Sequence, residues 1–506
     1  MGIFNRKILI IGLDGATWNI FDEVINKGCM PYTQKLRESG YYSTIKSTLT
    51  PISPAAWSTI QTGIKCLKNH IYEFYTFNKV KKTLEIVNSN ILEKTLWDQL
   101  SNLGKRVGIL NVPMTYPPRK VNGTVISGIL TPSIDNIFTY PADLKQNILE
   151  KIPDYQLKYS EDVRYGNPHY NLKKFIKKRI KNVKDRTKLM LYLFRNYKYD
   201  IFMVNFQAND ILQHVAWGYM DKNNELYNNS TKNYIFKNYY KTLDFCIEVI
   251  REEFIRTQSG DLLTLILSDH GFENHIKRFY LGDWLYRNGL LKLKRNILLS
   301  IFRTKVKELL LKLNMGNIQT RLLNKFKKTE TRFKKTGKTS HSNKFLNNVI
   351  DWDKTLAFSL GISLYGLIFI MRKGKEKKKI TKNLINKLKS IKDPENGKRI
   401  VKKIYLKEEV YNGEHPELIP DLIIKPINGY SFTGLYQNKS NLFHKINYKQ
   451  DFPIGKHSDD RIIIINGKNI QFNEQIDAKL IDIVPTILDY FKIPVSKKLE
   501  GKALFK

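Results

Sequence analysis

Residues 261–271 read DLLTLILSDHG, and this stretch decides the fold. An apolar run broken only by Thr264 and ended by Ser268, Asp269 and His270 describes a strand buried on both faces, with charged groups at its carboxyl end. The same grammar recurs along the chain. Lys7 to Leu13 runs into Asp14, Asp200 to Phe206 runs toward Asp210 and His214, and similar runs lie at Arg106–Val112, Thr124–Gly128 and Arg461–Asn466. Helical periodicity fills 94–104, 170–196 and 233–257 between them. Strands alternating with helices imply an α/β three-layer sandwich around a mostly parallel sheet, and such sheets form their sites at the carboxyl ends of the strands.

The polar residues that end these runs are therefore the candidates for chemistry. Asp269 and His270, directly after a buried strand, are costly unless ligated or hydrogen-bonded, and Gly271 allows a sharp turn away. Asp210 and His214, four apart, share one face if helical and suit one metal. His457 stands just ahead of the run at 461–466. In STLTPISPAAWSTIQTG at 47–63, Ser53 precedes Pro54, which reads as a helix N-cap. A serine there meets backbone N–H groups and a helix dipole that attract phosphate and favour an alkoxide. Taken together, Asp14, Ser53, Asp210, His214, Asp269, His270 and His457 fit a bimetallic phosphoryl-transfer site, with zinc, or manganese, as the ion type that imidazole and carboxylate favour.

Composition limits the setting. The chain has 506 residues, 42% of them hydrophobic, which is ample for a sizeable core. Its 85 Lys and Arg against 47 Asp and Glu give a formal charge of +38, which favours polyanions, anionic membranes and phosphorylated substrates. Cys29, Cys66 and Cys246 form no disulfide or zinc-knot pattern. With no signal-like leader and no apolar run of about 18 residues, the sequence reads as cytoplasmic, soluble or peripheral on the inner membrane surface. No finger, RNP-type strand or helix-turn-helix pattern supports sequence-specific nucleic-acid binding.

The organisation reads as a core over 1–285, an inserted basic cap over 286–440 and a returning core segment over 441–506. Leu309, Leu310 and Leu313 recur at helical spacing among Lys and Arg near 291–335, as in a helix that lies on anionic lipid, guides a polyanionic substrate or packs on the core. AFSLGISLYGLIFIMR at 357–372 reads as a hairpin and DLIIK at 421–425 as a further strand.

The order of LIIGLDGATW, the segment ending in QTG, ANDILQH, SDHGF and the late GKH resembles the type I phosphodiesterase and nucleotide pyrophosphatase branch of the alkaline phosphatase superfamily. LWDQLSNLGKRVGILNVPMTYPP, SGILTPS, IDWDKTLAFSLG and DIVPTILDYFKIPVSKKLEGKAL resemble a microbial subgroup of predicted phosphohydrolases or phosphomutases. The resemblance implies a phosphorylated small-molecule or nucleotide-like substrate and a covalent phosphoserine on Ser53. It also implies one ion held by Asp14, Ser53, Asp269 and His270, and another by Asp210, His214 and His457. The family's Asn three positions after the nucleophile is Ala56 here, which leaves Asn111 or Asn209 as candidates for oxyanion support. His-Gly-Ile is replaced by Asn69, His70 and Ile71, which argues against a role for His70. Trp57, Tyr72, Phe74 and Tyr75 are candidates to border a leaving-group pocket.

Alternatives of other kinds are a phosphomonoesterase or phosphomutase with the same metal chemistry, and a non-catalytic basic protein that binds membrane or polyanion. The residues after Ser53 lack the Pro-then-Arg arrangement of the sulfatases, which argues against that group.

Overall fold

The doubly buried runs become strands in the computed structural model, which describes residues 5–157, 171–295, 346–361, 364–451, 453–468, 470 and 477–505. The chain divides into two compact units, one of Met1–Phe74, Val87–Ile276 and Lys445–Lys506, the other of Tyr75–Ile86 and Lys277–His444.

In the larger unit the strands are β1 (Arg6–Gly12), β2 (Tyr41–Thr44), β3 (Val107–Leu110), β4 (Gly123–Ile126), β5 (Thr139–Tyr140), β6 (Ile201–Asn205) and β7 (Asp261–Leu267). They are followed by β8 (Gly271–Asn274), β9 (Gly455–Ser458) and β10 (Ile462–Gly467). Eight of them form one sheet in the order β2–β10–β7–β1–β6–β3–β4–β5. The central strands β7, β1, β6, β3 and β4 are mutually parallel. β10 runs antiparallel to β7 and β2, and β5 antiparallel to β4. The ribbon β8–β9 stands apart as an antiparallel pair.

Successive strand residues point to opposite faces, so a wholly apolar strand needs cover on both. Leu9, Ile11, Phe202 and Val204 enter a core with residues of α2 (Leu172–Asn196) and α3 (Ala208–Met220). Ile8, Ile10, Ile201 and Met203 enter a second core with α1 (Ser53–Thr62) and the closing helix Ile483–Tyr490. Helices thus cover both faces, which is the three-layer sandwich expected.

The smaller unit holds an antiparallel sheet of Ala357–Leu360, Gly366–Ile370, Leu422–Pro426 and Val401–Leu406, in that order, including the expected hairpin and the strand near 421–425. Helix Gly374–Lys389 buries Ile380, Leu384 and Leu388. Asp421, almost without exposure, receives the ammonium groups of Lys79, Lys377 and Lys407 at 3.1, 2.8 and 3.2 Å, which ties the hairpin Tyr75–Asn78/Thr83–Ile86 to this sheet. The expectation of a membrane-facing or polyanion-guiding cap near 291–335 falls, from residue 296 on, outside the described residues. Among the described residues no helix is long and apolar enough to cross a membrane.

One close approach sets the spacing between sheet and helices. Gly108 of β3 lies beside Phe202 of β6, and a Cβ on it would stand 2.1 Å from the Phe202 ring. That ring packs edge-on against Phe194 and Tyr199, with centroids 4.8 and 5.0 Å apart. Gly108→Val overpacks this site and is expected to destabilise the larger unit by about 1–3 kcal/mol. Urea unfolding followed by tryptophan fluorescence measures it as a lower midpoint at unchanged slope; an unchanged midpoint contradicts the packing described.

Candidate active site

β1 ends at Gly12, and the chain turns through Leu13, Asp14 and Gly15 at the carboxyl edge of the sheet. Three side-chain amides hold this turn. Asn205, the last residue of β6, donates Nδ2 to Asp14 Oδ2 at 2.7 Å. Asn209 and Gln213 on α3 donate to the main-chain oxygens of Asp14 at 2.8 Å and Gly15 at 2.6 Å. On the other side Gly15 N–H donates to Asp269 Oδ1 at 3.1 Å. Asp14 and Asp269 are thereby fixed with one oxygen each, Asp14 Oδ1 and Asp269 Oδ2, buried and without a hydrogen-bond partner. His270 Nε2 lies 3.6 Å from the first and 3.4 Å from the second.

Asp210 and His214 share one face of α3, as their spacing predicts, with His214 Nε2 3.4 Å from Asp210 Oδ1. His457 lies ahead of the strand β10, as the sequence indicates, and itself belongs to β9. There it faces Phe272 of β8 in the ladder register. Its Nε2 is 3.3 Å from Asp210 Oδ1 and 2.9 Å from His214 Nε2. The His270 and His457 rings stack with centroids 3.5 Å apart. Phe272 backs all three imidazoles, with ring centroids 4.8 Å from His214, 5.2 Å from His457 and 5.8 Å from His270. Six of the seven residues selected from the sequence thus meet at one place.

Ser53 is the first residue of α1, and Ile52, extended at φ −127° and ψ 147°, takes the cap position instead. The serine hydroxyl is not spent on capping. Ser53 is buried, and its Oγ lies 3.4 Å from His270 Nε2.

The hydrogen bonds dictate where the imidazole protons are. His214 Nδ1 faces the Gly455 carbonyl at 3.0 Å, His457 Nδ1 faces that of Pro51 at 3.0 Å, and His270 Nδ1 faces that of Gly271 at 3.2 Å. A carbonyl oxygen only accepts, so each Nδ1 carries a proton, and each ring turns its Nε2 inward. There His214 Nε2 and His457 Nε2 stand 2.9 Å apart, and the three Nε2 atoms face three buried carboxylate oxygens, Asp210 Oδ1 like the other two lacking a hydrogen-bond partner.

Burial, and then the carboxylates of Asp269 and Asp210, push Asp14 well above the usual range. Burial, then Asp210, lifts Asp269 to about 6. Burial opposes charge on Asp210 as well, but His214, His457 and His270 outweigh it and hold that group low. Burial depresses His214 and His270. A concentration of anionic oxygens and lone pairs of this kind is suited to cations. Asp14, Asp269 and His270 offer one set of donor atoms within 4.8 Å of each other, and Asp210, His270 and His457 a second. The donor types fit divalent ions of the zinc and manganese class.

The profile of the family described as type I phosphodiesterase / nucleotide pyrophosphatase matches residues 8–460. The chain belongs to this family. It is a hydrolase acting on phosphoric ester bonds, within the alkaline phosphatase superfamily. Human ectonucleotide pyrophosphatase / phosphodiesterase 5 resembles it at 13% identity and a TM-score of 0.54, over 99% of this chain and 100% of that one. An inactive form of the murine counterpart in complex with AMP gives 12% and 0.55 over 99% and 100%. Phosphonoacetate hydrolase from Sinorhizobium meliloti 1021 in complex with phosphonoformate gives 12% and 0.58 over 97% and 96%. At such identities the likeness concerns the fold. No curated protein matches the chain in sequence.

Several residue-level expectations change. Asn111 and Asn209 do not aim amides at Ser53: Asn209 is committed to Asp14 O, and Asn111 donates to Ser127 O and accepts from Tyr155. Trp57 and Tyr72 have no exposed surface and are core residues rather than a pocket border. The amide clamp was not anticipated from the sequence, although Asn205, Asn209 and Gln213 recur every four residues around Asp210.

Gly271 matters for space rather than for a left-handed turn. A Cβ there would lie 1.3 Å from the Asp460 carbonyl oxygen, so any side chain forces β8 from β9 and displaces His457. Misplacement by about 1 Å costs on the order of 10²-fold in rate. Gly271→Ala is expected to retain its far-ultraviolet circular dichroism and lose at least that factor against bis-p-nitrophenyl phosphate; wild-type turnover contradicts the assignment.

Proposed function

We propose that this protein is a metal-dependent phosphodiesterase or pyrophosphatase in which Ser53 attacks phosphorus. Two divalent ions would be held, one by Asp14, Ser53, Asp269 and His270, the other by Asp210, His214 and His457. The observation that carries this reading is the inward convergence of three imidazole Nε2 atoms and three buried carboxylate oxygens that lack hydrogen-bond partners, beside a serine at a helix start. Zinc, or manganese, suits that donor set.

When bound, such ions lower the pKa of the nucleophile and offset charge on the phosphoryl oxygens. The chain's own residues do the rest. The first turn of α1 presents its dipole and free N–H groups toward a phosphoryl group at Ser53. Attack forms the Ser53 Oγ–P bond and breaks the bond to the leaving oxygen, which departs with a proton. Water then cleaves the Oγ–P bond and restores the hydroxyl. Asn205, Asn209 and Gln213 keep Asp14 in place, and the carbonyls of Pro51, Gly271 and Gly455 keep the rings in one tautomer.

A phosphodiester or pyrophosphate is favoured over a monoester. A monoester's transferring group carries two charges and calls for an added cationic clamp, whereas Pro54, Ala55, Ala56 and Trp57 supply none. Ser53→Ala should keep its fold and metal and lose at least ~10³-fold in kcat. His214→Ala should lose about one ion per chain by elemental analysis and at least ~10²-fold in kcat. Full turnover with Ser53 removed, or with the ions absent, rejects the mechanism. The ratio of kcat/KM for bis-p-nitrophenyl phosphate to that for p-nitrophenyl phosphate should exceed one; a monoester advantage puts the phosphatase or phosphomutase reading first.

A further inference from the structure

The charge that α3 and the strand ends do not use is gathered on α2. Lys177, Lys181, Lys184 and Lys188 follow at spacings of four, three and four, so they line one face of the helix over about 16 Å. Opposite them the chain leaves the helix Leu144–Lys151 and brings up Lys151, Ile152, Pro153 and Asp154. Between the two lies a cleft of about 420 Å³ lined by all of these residues with Ile180 and Asp185. A cleft of that size lies within the range of small-ligand sites.

Its charges are unevenly neutralised. Lys181 takes both acids, Asp154 at 2.9 Å and Asp185 at 2.7 Å, and so pins the middle of the cleft. Lys151, Lys177, Lys184 and Lys188 have no acidic partner within ion-pair distance among the described residues. Five ammonium groups against two carboxylates leave three positive charges over a floor that includes the apolar Ile152 and Ile180. A concave, partly apolar wall concentrates such a field instead of spreading it into solvent.

The shape of the surplus selects the ligand. Along the helix Lys174, three residues before Lys177, adds one more ammonium group to this face, while Lys173 lies over the Tyr234 ring and Arg195, seven residues after Lys188, pairs with Glu253 at 2.6 Å. The available charge is therefore a short cluster and not an open track, which disfavours a long nucleic acid. The lining has no aromatic ring on which a base could stack. Ammonium groups on flexible stems suit several phosphate oxygens at once.

We propose that this cleft is a second binding site, for a compact anion carrying two or more phosphate groups, either free or as a lipid headgroup. It uses none of the residues assigned above to phosphoryl transfer.

The test uses the full-length, metal-loaded protein; isothermal titration with inorganic tripolyphosphate and orthophosphate is done in the Ser53→Ala background, so that the proposed activity does not consume the probe, and turnover is read on the chain that keeps Ser53. The cleft component is whatever the Lys177→Gln/Lys184→Gln/Lys188→Gln variant loses. Tripolyphosphate should bind more tightly than orthophosphate, and this variant should lose at least ~10-fold in that affinity while hydrolysing bis-p-nitrophenyl phosphate at the wild-type rate. A charge-matched control on the exposed face of Gly374–Lys389, Lys378→Gln/Lys379→Gln/Lys382→Gln, should change affinity by less than about twofold, as screened surface charge does. Flotation with phosphatidylcholine vesicles containing or lacking a phosphatidylinositol bisphosphate separates the sources. Vesicle capture that depends on the three lysines assigns the headgroup, and tripolyphosphate binding without capture assigns the free anion. Unchanged tripolyphosphate affinity in the cleft variant, or an equal loss in the control, overturns the site.

Discussion

The structure depends on one electrostatic constraint: three carboxylates and three imidazoles are taken out of water at the edge of one parallel sheet. Two like charges about 4 Å apart interact by roughly 4 kcal/mol at an effective dielectric of 20, and burial adds its own penalty to each. Such a group of side chains does not stay together by attraction. The backbone and the amides hold it, through the Asn205–Asn209–Gln213 clamp on the Asp14 turn and the three carbonyls that fix the ring protons. Burial first, and then the neighbouring carboxylates, raise the pKa values of Asp14 and Asp269.

The sheet supplies the rigidity that this arrangement needs. Asp14 and Asp269 follow two neighbouring parallel strands within two residues, and Asp210 lies in the first turn of α3 after the strand on the other side of β1, so the sheet brings all three to one edge. The ribbon β8–β9 then adds the last ring from outside the sheet. Phe272 ties the two parts together by touching every imidazole.

How far the sequence could be read follows from the same physics. A strand buried on both faces writes itself as an apolar run, so the central sheet was legible, and the polar residues closing those runs were legible as a site. Hydrogen-bond partners are a different matter. Nothing local in Asn205 or Gln213 says that its amide reaches a turn nearly 200 residues away. The position of Ser53 shifted by one residue because Pro54 tolerates either of the first two helical positions. The need for Gly271 lay in the approach of Asp460, a contact between distant segments that no dihedral preference signals. Trp57 and Tyr72, aromatic and near the nucleophile, had the composition of a pocket and turned out to be core.

His457 reaches across 406 positions of chain to set its ring against the Pro51 carbonyl. At a translation speed of 5–20 residues per second, that separation means a delay of about 20–80 s between the two ends of this contact leaving the ribosome. Through that interval the nascent chain holds its aspartates and early histidines with no closing ring. The cluster of three imidazoles therefore closes late in synthesis, and a chain truncated ahead of the β9 segment carries most of the sheet without its third ring.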